Sequence, residues 1–104
     1  MFFLKGKVMM RNQDIINELL AYVGSDKKQN WYVGIATDPK YRLFVEHNVS
    51  DRFGLRMYWK ASSEEDARYI ERWLLNTYPF KGGPGGGDHP EYVYAYKITS
   101  TTVE

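Results

Sequence analysis

The stretch that decides the fold is WYVGIATDPKYRLFVEH, residues 31–47. Its first six residues mix aromatic, β-branched and small side chains and follow a polar turn, which is the composition of a strand. Alternation puts Trp31, Val33 and Ile35 on one face and Tyr32, Gly34 and Ala36 on the other. Asp38 followed by Pro39 reads as a helix start. An aspartate at the cap accepts the free N–H groups of the first turn, and a proline at the first helical position loses no hydrogen bond there. The helix so begun runs to about Asn48, with Tyr41, Phe44 and Val45 as its packing face and with Arg42 and His47 also on it. This segment is either an ordinary strand-turn-helix corner or one wall of a site.

Working outward, NQDIINELLAYV (residues 12–23) places Ile15, Ile16, Leu19, Leu20 and Val23 at helical spacing. Asn12 or Asp14 can cap its start, and Gly24 fits its end. LRMYWKA (residues 55–61) reads as a second strand. Ser62 with Glu65 three residues on forms a capping box for a helix over about residues 63–78, which Pro79 ends. FKGGPGGGDHP is a loop by composition. EYVYAYKIT (residues 91–99) is a final strand in which Tyr92, Tyr94, Tyr96 and Ile98 alternate with Val93, Ala95 and Lys97. FFLKGKV at the start is a short strand or an arm. The order predicts a small α+β domain with about three strands, mixed or antiparallel, and about three helices packed against them.

One domain is the expectation for 104 residues, with residues 1–30 as an N-terminal part and residues 31–98 as the core. Fourteen basic and thirteen acidic side chains leave a net charge of +1, so attraction to nucleic acid has to come from a local patch. The absence of cysteine removes disulfides, thiolate metal sites and thiol nucleophiles. No signal-like or membrane-length apolar run is present, so the expectation is a cytoplasmic protein with no membrane partner. In that compartment the Asn48-Val49-Ser50 sequon carries no weight.

Within the long helix, Ala67, Ile70, Leu74 and Tyr78 form an apolar stripe, and Glu71 falls inside it. A carboxylate on an inward face is costly unless something pairs with it. It is either matched to a nearby Arg or Lys, or it is a ligand for a hard cation such as Mg²⁺ or Mn²⁺. By contrast, Glu64, Glu65 and Asp66 suit the first turn of a helix and need no function. Arg42 and Glu46 are four apart and can form a surface ion pair. His47 near a helix end can be a favourable C-terminal cation. Arg56, Tyr58 and Lys60 share one face of the second strand, an interleaving of cations and aromatics that suits nucleic acid. The tyrosines of the last strand either join them or pack under helices. The glycines at 82–87 lack the Lys-Ser/Thr of a phosphate loop. Asp88 and His89 are two loop ligands only.

The segment YVGIATDPKYRLFVEH resembles the second motif of the GIY-YIG nuclease family. In that family a strand with Tyr-Ile-Gly or Tyr-Val-Gly precedes a helix whose arginine lies ten residues after the tyrosine. Here Tyr32-Val33-Gly34 is followed by Arg42 at that spacing. The family often has a histidine or tyrosine one helical turn beyond the arginine; Glu46 holds that slot and His47 follows it. The family's metal-binding glutamate lies on a later helix, in a context like SEEDARYIERWL, and Glu71 matches it. The resemblance covers roughly residues 31–75. It implies a GIY-YIG-like fold, a metal-dependent endonuclease using Mg²⁺ or Mn²⁺, and nucleic acid, DNA first, as partner. Arg42 would hold phosphate, Glu71 the metal, Tyr32 would act as or support the base, and Gly34 would let backbone or substrate approach. The family's first motif, Gly-Ile-Tyr on a strand before the second, has no counterpart by sequence. Tyr22 in AYVG, ten residues before Tyr32, is the candidate for its tyrosine, on a segment that is a helix or a degraded strand. The alternative is a module that keeps this fold without catalysis and binds nucleic acid or protein.

Overall fold

The last strand of the chain, Tyr92–Lys97, lies in the middle of the sheet. The computed structural model describes residues 10–83 and 87–104. In chain order the elements are α1 (Asn12–Val23), a 3₁₀ turn (Lys28–Asn30), β1 (Trp31–Ala36), α2 (Pro39–Tyr41) running directly into a π-helical turn (Arg42–Glu46), β2 (Arg56–Lys60), α3 (Glu64–Thr77) and β3 (Tyr92–Lys97). The sheet order is β1-β3-β2, and both pairings are antiparallel. The fold is therefore α+β with a three-stranded antiparallel sheet. The outer edge of β1 is partly covered as well: Val33 N–H donates to Lys81 O (2.9 Å) and Lys81 N–H to Trp31 O (2.9 Å). FFLKGKV lies outside the described residues.

Each sheet face buries its own cluster. On one side Trp31, Val33, Ile35, Trp59, Val93 and Ala95 meet α1 through Ile15, Ile16, Leu19 and Val23, and α3 through Ala67, Ile70 and Leu74. On the other side Tyr32, Ala36, Tyr94 and Tyr96 meet Leu43 and Val49. The period-2 alternation of the strands is what divides the residues between these clusters. Among the described residues no helix is long and apolar enough to cross a membrane.

Three local expectations are corrected. α1 has Arg11 at its cap position and no side-chain cap; the Asn12 amide instead donates to Asp66 Oδ1 (3.0 Å), joining α1 to α3. α3 is capped by Ser63 rather than Ser62, its hydroxyl accepting from Asp66 N–H at 3.1 Å. That register leaves the Asp66 carboxylate available to Asn12. The third correction concerns residues 39–48. Asp38 does cap the start, accepting from Tyr41 N–H (3.1 Å). After one α turn, however, the backbone widens into the π turn, and His47 N–H reaches back five residues to Arg42 O (2.8 Å). Tyr41 and Val45 are left exposed, while Pro39, Leu43 and His47 face the sheet. The helix ends at Glu46 with His47 as its C-cap, and Asn48 just beyond takes a positive φ of 56°.

Candidate functional site

Antiparallel pairing of β1 with β3 sets Tyr96 directly opposite Tyr32, and Tyr94 opposite Gly34. Cross-strand neighbours on one face lie within side-chain reach. The Tyr32 and Tyr96 rings stack with centroids 5.2 Å apart, and Tyr32 and Tyr94 with centroids 6.3 Å apart. Gly34 is what lets Tyr94 lie flat on the strand. A Cβ there would come within 2.5 Å of Tyr94 Oη and 2.6 Å of its Cζ. The close approach at Gly34 is thus to a tyrosine of the same chain.

Over this tyrosine floor the π turn delivers Arg42 and His47. A π turn holds one more residue than an α turn, and such turns often mark functional sites. The extra residue brings His47, and not Glu46, round to the sheet. His47 is only 2% exposed, and its ring lies 4.6 Å from that of Tyr32, centroid to centroid. Its Nδ1 sits 2.7 Å from Val103 O, and its Nε2 sits 2.7 Å from Tyr94 Oη. A carbonyl can only accept, so Nδ1 carries the proton and Nε2 accepts from the Tyr94 hydroxyl. Tyr94 Oη in turn accepts from Arg42 Nη2 (3.1 Å). Tyr96 Oη donates to Val103 O (3.3 Å), and Val103 N–H donates to His47 O (2.8 Å), so residues 99–104 close over the histidine.

Arg42 therefore does two things. Its Nε lies 2.8 Å from Glu46 Oε1, the expected ion pair, and its Nη2 reaches the tyrosine cluster. A cleft of about 360 Å³ opens beside it, lined also by Asp38, Tyr41 and Glu46. Burial dominates the electrostatics. It lowers the proton affinity of His47, with the nearby Arg42 charge in the same direction and the Val103 hydrogen bond opposing. It raises those of Tyr32, Tyr94 and Tyr96, with Arg42 opposing in each case. Tyr94 and Tyr96 hold their protons far above the ordinary phenol range. The histidine is neutral at physiological pH and ready to accept.

Glu71 comes from the other layer, on the α3 turn between Ala67 and Leu74. Burial raises its proton affinity, and Arg68, Arg72 and Arg42 pull it back. Its charge is felt at Tyr32 and Tyr94. It makes no hydrogen bond or ion pair to any described residue, and the Tyr32 hydroxyl makes no hydrogen bond to one. Arg68, the closest candidate partner by spacing, pairs with Glu64 instead (2.9 Å). Among the described residues no group of three His, Cys, Asp or Glu side chains forms a ready-made metal cage.

The structure thus brings together Tyr32, Arg42 and His47, with Glu71 in electrostatic range. It does not bring Tyr22 to them. That tyrosine sits on α1, donates its hydroxyl to Arg56 O (3.2 Å) and meets Trp31 edge-on. Residues 12–23 are a helix, so no hairpin strand carries Tyr22 beside Tyr32. Arg56 and Lys60 lie on β2, on the far side of β3 from Tyr32, with Arg56 opposite Tyr96 and Lys60 opposite Tyr92. Lys60 is paired with Glu91 at 2.5 Å, and Arg56 stacks on Phe44 with its guanidinium carbon 5.2 Å from the ring centre. Tyr94, Tyr96 and Val103 are the members sequence reasoning missed. The alternating tyrosines of the last strand were a signal, but nothing local joins residue 94 to residue 47. Comparison with protein-family models, curated proteins and solved structures finds no match.

Proposed function

We propose that this domain acts on the phosphodiester backbone of nucleic acid, as a slow, metal-assisted hydrolase built on a GIY-YIG-like plan. In this reading β3 takes the place of the family's first-motif strand. It runs antiparallel beside the Tyr-Val-Gly strand and sets Tyr96 opposite Tyr32 and Tyr94 opposite Gly34, though it follows that strand in the chain instead of preceding it. The observation that carries the proposal is the hydrogen-bonded row Arg42–Tyr94–His47–Val103, with the Glu71 carboxylate in electrostatic range and, like the Tyr32 hydroxyl, without a hydrogen bond to any described residue.

The chain's own groups divide the work. Arg42 offers planar donors to a phosphate oxygen at the mouth of the cleft. His47 is fixed as a neutral acceptor by Val103 O, so a proton taken from an attacking water can pass to Tyr94 Oη while the Tyr94 proton moves to His47 Nε2. Tyr94 can act only as a relay, because its own proton affinity is too high for it to stand as the anion. The donor set fits a hard divalent cation: all oxygen, with one half-buried carboxylate on Glu71 and the Tyr32 hydroxyl within its electrostatic range. Mg²⁺ commonly binds through one or two carboxylates together with substrate phosphates. Bound there, such an ion would neutralise charge on the phosphate oxygens.

A second reading is favoured by how completely the buried row is satisfied: a domain that binds phosphate at Arg42 without cleaving. The test is cleavage of end-labelled single-stranded and duplex DNA and RNA with Mg²⁺ or Mn²⁺. Cleavage by the wild type that is lost in both Glu71→Gln and His47→Asn supports the hydrolase. Unchanged cleavage in Glu71→Gln overturns it. Binding lost in Arg42→Ala without any cleavage supports the second reading.

A further inference from the structure

On the far side of the same helical segment lies a feature the cluster does not use. Lys40 and Phe44, four residues apart, face Arg56, Met57 and Tyr58 of β2 across an open groove of about 450 Å³. That volume falls within the range of about 300–1,000 Å³ common to small-ligand sites. Two features give the groove its character. Its walls expose aromatic surface: Tyr58 is 37% accessible and leans edge-on against Tyr92 (6.0 Å), while Phe44 carries the Arg56 guanidinium over its ring. Among the described residues both charged side chains lining it, Lys40 and Arg56, are cations, and none is a carboxylate. With a net charge of only +1 over the whole chain, this is a local asymmetry. Arg56 is also held in place, donating to Gly54 O (3.0 Å) and Asp51 O (3.1 Å).

Aromatic surface open to solvent between two cations, one of them held in place, complements one kind of partner. An unpaired base offers a π face to stack and a phosphate for the cations, whereas a duplex keeps its bases stacked inside. We infer that this groove is a base-stacking subsite for single-stranded nucleic acid. Tyr58 and Phe44 take the base, and Lys40 and Arg56 take the flanking phosphates. The inference rests on the phosphodiester reading above and names its substrate class. Position links the two sites: Tyr58 and Arg56 lie directly across from Tyr94 and Tyr96 in the sheet, about 4.8 Å away strand to strand. Phe44 and Arg42 ride on the same π turn.

The experiment measures binding separately from cleavage. Fluorescence anisotropy at low salt, with a chelator present, would compare a labelled thymidine oligonucleotide, a uridine oligonucleotide, a duplex, and a single strand bearing one central abasic position. Single strands should bind more tightly than the duplex. Tyr58→Ala should weaken single-strand binding about 5- to 150-fold, as expected for loss of one stacked base, while Tyr58→Phe retains it. Lys40→Ala should weaken binding and flatten its salt dependence. Tyr58 is partly exposed, so its replacement leaves the fold intact; a circular dichroism melt confirms this. Duplex binding as tight as single-strand binding, or Tyr58→Ala binding like the wild type, overturns the inference, as does failure of every nucleic acid to bind. The two readings fail separately. Single-strand binding that depends on Tyr58 in a protein with no cleavage keeps the groove and removes the hydrolase. Cleavage of duplex that is indifferent to Tyr58 does the reverse.

Discussion

Gly34→Ala is the substitution that tests the site's construction most directly. The added methyl would sit 2.5 Å from Tyr94 Oη, 2.6 Å from Cζ and 3.0 Å from Cε2. The obstacle is a ring that is itself fully buried, so it cannot swing aside freely. Over-packing of this kind typically costs about 1–3 kcal/mol. Moving the ring also disturbs the hydroxyl bonds to His47 and Arg42, at about 1 kcal/mol each. The better strand propensity of alanine returns roughly 0.5–1 kcal/mol. A net loss of about 2–4 kcal/mol follows, which for a domain of this size lowers Tm by roughly 8–30 °C. The assay is thermal and urea denaturation of a double-mutant cycle. In a Tyr94→Ala background the obstacle is gone, and Gly34→Ala should become nearly neutral. In a Tyr94→Phe background it should stay costly, because Cζ remains. Equal losses in all three backgrounds, or a single-variant loss below about 0.5 kcal/mol, would refute the reasoning and return Gly34 to a role in admitting substrate.

Other outcomes follow from the same geometry. Because His47 binds its proton less readily folded than unfolded, its contribution to stability is complete above its ordinary value of 6.5 and is lost as pH falls from there towards the lowered folded value; urea melts across that window should be steeper in pH for wild type than for His47→Asn. Nitrogen-15 NMR of the His47 ring should show the proton on Nδ1, and a proton on Nε2 would break the relay. Glu71 is raised by burial, so its ionised form weakens the fold near neutral pH; Glu71→Gln should raise Tm, whereas Mn²⁺ should raise the Tm of wild type only. Ser63→Ala should cost about 1 kcal/mol and Ser62→Ala no more than about 0.5 kcal/mol, read from paired thermal melts.

The elements were legible because each is written locally. Asp38-Pro39 announces its turn, the α3 stripe repeats at helical period, and the strands alternate. The register of a cap was not legible, since Ser62 and Ser63 are chemically equal. Choosing between them depends on Asn12, more than fifty residues away, taking the Asp66 carboxylate. The sheet order was equally hidden. Nothing in EYVYAYKIT states that it pairs on both edges; only the assembled sheet puts it between β1 and β2.

The site was half legible for a related reason. The spacing from Tyr32 to Arg42 and the misfit of Glu71 in its stripe can be read from sequence, because each is a property of one element or of two neighbours. His47 looked out of place only on the assumption of an α-helix. A regular helix aims residue 46 where residue 42 points, one turn on. The π turn adds a residue, so the side chain that follows Arg42 around the axis is His47, and its N–H bonds to Arg42 O. One change of helical pitch thus turns an apparent register error into a buried hydrogen-bonded contact with Tyr94. It also frees Glu46 to hold the arginine from the solvent side. The partners that make His47 useful, Tyr94 and Val103, lie 47 and 56 residues further on. Their role depends on a strand that the chain makes last and the sheet places at its centre.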